Sequence, residues 1–600
     1  MAQALVRHLA AQYTLDEHGG ETPLFAGVFA IFGHGNVAGL GEALADAGPA
    51  LPTFRAHNEQ GMAHAAIAFA KASNRRRMMA CTTSIGPGAT NMLTAAALAH
   101  VNRLPVLFLP GDVFASRRPD PVLQQLEDFG DPTVTANDCF RPVSRYFDRI
   151  TRPEQLLRSL PAALAVLTDP AQCGPATLAL PQDVQAEAWN WPEGFFARRV
   201  HALFRAPPDS RQLARAVAVL RTARRPLLIA GGGVHYSGAC EALRQFAERR
   251  GIPVAETQAG KGALAAAHAA NVGGIGVTGS TAANALAAEA DVVIAVGTRL
   301  QDFTTGSGRL FDATRTRLIA INVASHDAGK YDAIPLVADA LTALHALEAG
   351  LGDTAADAGW TARASTLARD WQSAVTSATR PAGKLLPSDA EVLGVANRVL
   401  GSNGTVVCAA GGLPGELHKL WQAAGPGSYH VEYGYSCMGY EIAGALGVKL
   451  AMPERDVLVM VGDGSYLMLN SELATSIALG LKLTVCLLDN RGFGCINRLQ
   501  KGLGGAAFNN LLGAAPRIDF AAHARALGAE AEQVAGLDQL EPALRRALAA
   551  PRTAVVVIET DPERSTVAGG TWWDVPVAAV SARPAVQDAH RDYRARLDGE

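Results

Sequence analysis

Short apolar runs alternate with stretches of helical period along most of this chain, and nearly every run empties into a glycine-bearing loop. Residues 24–32 end in Gly33-His34-Gly35-Asn36. Residues 78–83 lead into SIGPGATN (84–91) and then MLTAAALAHV, and residues 106–109 into Pro110-Gly111-Asp112. The pattern returns at 226–230 before Gly231-Gly232-Gly233, at 291–297, at 406–408, at 457–461 and at 483–488. Continuous apolar runs of this length, bounded by turn residues, suit strands buried on both faces. Their alternation with helices predicts doubly wound parallel sheets. The expected fold class is therefore α/β with three such domains, at 1–188, 205–350 and 389–560. A linker at 351–388 and a tail at 561–600 complete the chain. The first twenty residues read as an amphipathic helix, residues 365–379 as another helix, and Trp572 and Trp573 as packing residues.

One stretch stands out. In residues 456–494 a strand ends at Gly462-Asp463-Gly464-Ser465, a helical period follows through Leu469, Leu473 and Ile477, and a second strand closes at Asp489-Asn490. In a strand, helix, strand crossover both strands end at the same sheet edge, where ligands of open α/β sheets bind. Asp463 and Asn490, 27 positions apart, can then lie side by side. A carboxylate, an amide oxygen and backbone carbonyls are the hard oxygen ligands Mg²⁺ favours, with phosphates completing its shell. The flanking glycines let backbone N–H groups approach such phosphates.

Composition narrows the partners. The 600 residues are 49% hydrophobic and 18% charged, enough for several buried cores and too apolar for disorder. A net charge of −3 gives neither a nucleic-acid footprint nor a polybasic membrane patch. No apolar run reaches the ~20 residues a membrane span needs. The eight cysteines lack metal-ligand spacing and read as reduced core thiols. The expectation is a cytoplasmic enzyme whose partners are small molecules and copies of itself.

Individual candidates admit two readings each. His34 between glycines past a strand end is either a cleft histidine or a plain turn. Glu59, at the start of an alanine-rich helix, is either functional or a carboxylate that complements the helix dipole. Gly231-Gly232-Gly233 lacks the GxGxxG spacing, which favours a cofactor-free Rossmann-like spacer over a dinucleotide site.

The joint pattern of GDG, a helix-length spacer and an Asn in a glycine-rich loop resembles the diphosphate and metal motif of thiamine diphosphate enzymes. Over nearly its full length the chain is similar to acetolactate synthase and its relatives. That resemblance implies a pyrimidine-binding first domain, a Rossmann-like middle domain and a diphosphate-binding third domain. It implies Glu59, in Glu59-Gln60-Gly61, as the cofactor-activating carboxylate, although His57-Asn58 replace the usual Arg-His. SIGPGATN matches the family's GPGATN loop, and Met438 in CMGY matches the methionine that props the bent cofactor. Asp463, Asn490 and the Gly492 carbonyl are the implied Mg²⁺ ligands. Gly464, Ser465, Gly415, His418, Phe493 and Gly494 are the implied cofactor contacts. FAD in the middle domain is possible but not favoured, and a homodimer or homotetramer with sites between subunits is expected.

Four longer strings, IFGHGNVAGLG (31–41), ACTTSIGPGATN (80–91), NRLPVLFLPGDVF (102–114) and GGTWWDVPV (569–577), resemble the family branch that hydrolyses a cyclic 1,2-dione to 5-deoxyglucuronate in myo-inositol breakdown. The alternatives are carboligation like that of acetolactate synthase, 2-oxo acid decarboxylation, or hydrolysis of another cyclic dione. On this reading His34 and His57 are the acid–base candidates. Asn36, Gln124 and Asn497 are the candidate binders of substrate hydroxyls.

Overall fold

The computed structural model describes residues 1–16 and 18–598. Three six-stranded sheets, parallel throughout, form the body of the molecule, as the apolar runs require. In the first, the strands lie in the order Thr53–Arg55, Phe25–Ile31, Met78–Thr83, Leu107–Asp112, Ala176–Pro181, Tyr146–Arg149. In the third, the order is Tyr429–Val431, Gly404–Cys408, Asp456–Gly462, Thr484–Asp489, Ala554–Glu559, Glu530–Val534. Renumbered within each domain, both read 2-1-3-4-6-5, so the first and third domains are topological copies. The middle sheet reads 3-2-1-4-5-6, the doubly wound dinucleotide-fold order.

In all three sheets strand order reverses beside the domain's first strand, and loops leaving that point open a crevice. In the first domain the loops there are 32–36 and 84–91. In the third they are 409–412 and 463–465. Local topology alone brings each set of glycine-rich motifs to one edge.

The first and third domains share one core. Helix Glu59–Ala72 lies against helix Tyr440–Ala451, and their buried faces form a single cluster with strands of both sheets. Small residues permit this approach: a Cβ on Gly447 would come within 2.0 Å of the Ala65 carbonyl oxygen.

Several expectations need correction. The N-terminal helix stops at Ala10, because Gln12–Leu15 pairs with Glu21–Pro23 and with Arg199–His201 in a small extra sheet. The helix expected at 365–379 within the 351–388 stretch starts earlier and runs Ala358–Ala378, burying Trp360, Ala364, Trp371 and Val375 against the middle domain. The helical period after Asp463 breaks at Leu469 into helices Asp463–Met468 and Glu472–Ala478. The described part of the tail, which excludes residues 599 and 600, folds back on the middle domain. Trp573 donates its indole N–H to Asp302 and Trp572 lies under the Arg309 guanidinium, so both tryptophans pack.

Candidate active site

At the crevice of the first domain lies an open cavity of about 660 Å³ that contains Glu59, His34 and Gln124, together with Ser84, Gly88 and Asn91. Glu59 opens its helix behind Asn58, whose side chain caps the helix by accepting from the Gly61 N–H at 3.1 Å. The Glu59 carboxylate thereby faces sideways into the cavity, where Asn91 Nδ2 donates to Oε2 at 2.8 Å. Gly88 keeps this wall tight, since a Cβ there would come within 3.3 Å of Glu59 Oε1 and 3.0 Å of Thr83 Oγ1.

The histidine loop is clamped from beneath. Asn36 is buried, with Oδ1 accepting from the Gly33 N–H at 3.0 Å and Nδ2 donating to Thr82 Oγ1 at 3.1 Å. Gln185 Nε2 donates to the Gly35 carbonyl at 2.8 Å, and Ser84 Oγ accepts from the Gly35 N–H at 3.3 Å. This leaves His34 projecting into the cavity. Asn36, expected to bind substrate, instead spends its amide on the loop. Gln124 sits at φ +68°, and its carbonyl lies where a Cβ on Gly86 would be, 1.6 Å away. Only glycine lets these two loops meet.

The crevice of the third domain holds the second set of residues. Asp463 and Asn490 stand at the ends of adjacent parallel strands, and Asp463 Oδ1 and Asn490 Oδ1 are both buried without a hydrogen-bond partner among the described residues. Burial and the neighbouring Asp489 carboxylate push the Asp463 pKa up to about 7, against the pull of the backbone amides of Asn490, Gly492 and Gly464. Two orphaned hard oxygens at a site where negative charge is disfavoured fit a divalent cation. Among the described residues no three His, Cys, Asp or Glu side chains cluster for a metal, so such an ion would depend on Asn490 and carbonyls. Gly492, at φ +136°, points its carbonyl toward Gly464. Gly464 makes room for the Phe493 ring, and Gly494 for the Asn490 amide. Met438 precedes the left-handed Gly439, whose N–H donates to Ser465 Oγ at 2.8 Å.

Other expected residues lie elsewhere. His57 is exposed and its Nδ1 bonds Thr475 Oγ1 at 2.9 Å, outside the cavity. His418 is buried against the middle domain, between Thr278 Oγ1 at 2.9 Å and the Glu256 carbonyl at 3.0 Å. Burial drives its pKa to about 3. Gly415, one turn earlier on the same helix, faces Thr278. Asn497 is buried and donates to Glu563 of the tail at 3.0 Å. The family resemblance implied cofactor contacts for Gly415 and His418; distant segments instead pair with His57, His418 and the Asn497 amide N–H, while Asn497 Oδ1 is buried without a hydrogen-bond partner among the described residues. Conversely, sequence reasoning gave no role to Asn91 or Glu441. Asn91 stood inside the quoted SIGPGATN string, and only its contact with Glu59 reveals its use.

A second cavity, of about 450 Å³, opens between all three domains and includes Arg75, Arg103, Arg299, Tyr236 and Asn322. The triple glycine serves packing at its edge: Cβ atoms on Gly231 and Gly233 would collide with Gly297. Among the described residues no helix is long and apolar enough to cross a membrane.

Comparison with known proteins agrees with this layout. Three family descriptions match in order: thiamine pyrophosphate enzyme N-terminal TPP binding domain over residues 25–131, central domain over 213–347, and C-terminal TPP binding domain over 409–558. The chain is 46% identical to the 3D-(3,5/4)-trihydroxycyclohexane-1,2-dione hydrolase of Geobacillus thermodenitrificans, over 99% of this chain and 98% of that protein. It is 45% identical, over the same shares, to the proteins of that name from Bacillus cereus and Bacillus thuringiensis.

Proposed function

The chain belongs to the thiamine pyrophosphate enzyme family, and from that premise we propose that it hydrolyses the carbon–carbon bond between the two carbonyls of trihydroxycyclohexane-1,2-dione, a step of myo-inositol degradation. The observation that carries this reading is the 46% identity, spanning nearly the whole of both chains, to a hydrolase of that name. The net reaction balances with water alone. The ring bond breaks, one carbonyl carbon leaves as a carboxylic acid, the other as an aldehyde, and no oxidant or CO₂ is involved. The product is 5-deoxyglucuronate.

Thiamine diphosphate, when bound, supplies the carbanion chemistry and the electron sink. The protein's own residues hold and protonate. Asp463, Asn490 and the Gly492 carbonyl would hold Mg²⁺, and the backbone of Gly464 and Ser465, with Phe493 and Gly494 beside it, would line the diphosphate. Met438 would support the bend of the cofactor. Glu59, oriented by Asn91, would accept a hydrogen bond from the pyrimidine ring. His34 is our candidate for moving the proton at the substrate carbonyl, with Gln124 holding a substrate hydroxyl.

We further propose a homodimer as the smallest competent unit. Among the described residues the Glu59 cavity is lined by the first domain, which supports a metal-binding half contributed by another chain. Exposed apolar side chains flank both halves, Phe32 and Val37 on one, Met468, Phe493 and Ile496 on the other, as a subunit interface requires. The eight cysteines lack metal-ligand spacing, which suits core thiols in a reducing cytoplasm. The test is incubation of purified protein, thiamine diphosphate and Mg²⁺ with the dione and, separately, with pyruvate. An acid-aldehyde formed without CO₂ supports the hydrolase. Release of CO₂ from pyruvate with the dione untouched overturns it.

A further inference from the structure

We propose that Glu441 is a positioning residue for the cofactor, a buried carboxylate that latches three separate loops of the third domain into one cradle. It rests on thiamine diphosphate binding at Asp463, and it adds a residue to which no motif points.

The three loops have no ladder to hold them together. Residues 409–412 follow strand Gly404–Cys408, residues 437–439 precede helix Tyr440–Ala451, and residues 463–465 follow strand Asp456–Gly462. Glu441 lies between them, 1% exposed. Its Oε2 accepts the Ser465 hydroxyl at 2.7 Å, and its Oε1 faces the Ala410 N–H at 3.4 Å. Ser465 Oγ in turn accepts from the Gly439 N–H at 2.8 Å. One carboxylate and one hydroxyl thus fix the turn bearing Met438 against the loop bearing Asp463.

The hydrogen-bond count has a consequence for Ser465. A hydroxyl has one proton to donate, and here it goes to Glu441. Ser465 therefore meets a diphosphate through its backbone N–H, while its side chain faces inward as part of the latch.

A glutamate in the first turn of a helix also complements the helix dipole, and that ordinary role predicts a different outcome. Removing the Ser465 hydroxyl breaks the latch while leaving Glu441 at its helix. Both effects are read on the full chain by titrating thiamine diphosphate with Mg²⁺ into wild type, Ser465→Ala, Glu441→Ala and the double variant, with cofactor-free melting temperatures in parallel. The single variants should each weaken cofactor affinity by about fivefold or more, as expected for the loss of a buried hydrogen bond. The double variant should be no worse than the worse single one in cofactor affinity, and Ser465→Ala, which strands the Gly439 N–H and the Glu441 carboxyl, should lower the cofactor-free melting temperature by about a few degrees. Wild-type affinity in Ser465→Ala, or losses that multiply in the double variant, would overturn the latch. Should Glu441→Ala fail to fold, the affinity of Ser465→Ala decides alone. Failure of the wild type to bind the cofactor would instead refute the reading on which the latch rests.

Discussion

Asn91 donates its side-chain N–H to Glu59 across 2.8 Å, joining the 84–91 crevice loop to the start of helix Glu59–Ala72. The contact leaves Glu59 Oε1 beside Gly88 without a hydrogen-bond partner among the described residues and fixes where the carboxylate points. Glu59→Gln should therefore keep cofactor affinity near wild type while lowering turnover by about a hundredfold or more, the scale of a lost acid–base group. Asn91→Ala, which loosens the carboxylate without removing it, should fall between the two. Steady-state kinetics at saturating cofactor checks both, and normal turnover in Glu59→Gln would strip that residue of its role.

The two candidate histidines separate cleanly. His34 projects into the cavity, whereas His57 is held by Thr475 outside it. His34→Ala should cost about 10²–10⁴ in kcat with cofactor binding intact. His57→Ala should leave kcat within about threefold, since exposed substitutions away from a site act weakly. Asn36→Ala, which frees the histidine loop, should lower kcat in wild-type protein and add little to His34→Ala. Equal losses at positions 34 and 57 would contradict the geometry.

A divalent cation is expected at the orphaned oxygens of Asp463 and Asn490. Chelation should remove thiamine diphosphate binding, and Mg²⁺ should restore it. Asp463→Ala should abolish that restoration, because Asn490 and a carbonyl alone are a poor ligand set for a hard dication. Calorimetry with and without chelator reads the outcome, and cofactor binding that ignores chelation would exclude the metal.

Glu472 gives a pH-dependent signature. It is buried against Gly61, its Oε2 finds no hydrogen bond among the described residues, and burial pushes its pKa up to about 7. The fold favours its neutral form, so its contribution to stability is fully present below an unfolded value of about 4 and is lost as pH rises through about 7. Glu472→Gln imitates the neutral form at every pH. Its cofactor-free melting temperature should thus gain on wild type by about a few degrees between pH 5 and 8. A difference that shrinks over that window would show the carboxylate to be ionised and satisfied in the fold.

The amino-acid sequence by itself determined whatever depends on local period and chain direction. Apolar runs and glycine loops defined three parallel-sheet domains, and a single crossover obliged Asp463 and Asn490 to share an edge, because both strands of such a unit end on the same side. Only the tertiary structure decided which polar side chains remain available for chemistry. His418 and Asn36 looked like ligands, yet each is buried and committed to partners, His418 to a segment of the middle domain and Asn36 to its own loop. Glu441 and Asn91 became visible the same way, through Ser465 and Glu59. The reason is that backbone geometry repeats along the chain and can be read from it, whereas a buried polar atom must find its hydrogen bond among whatever segments the fold happens to bring beside it.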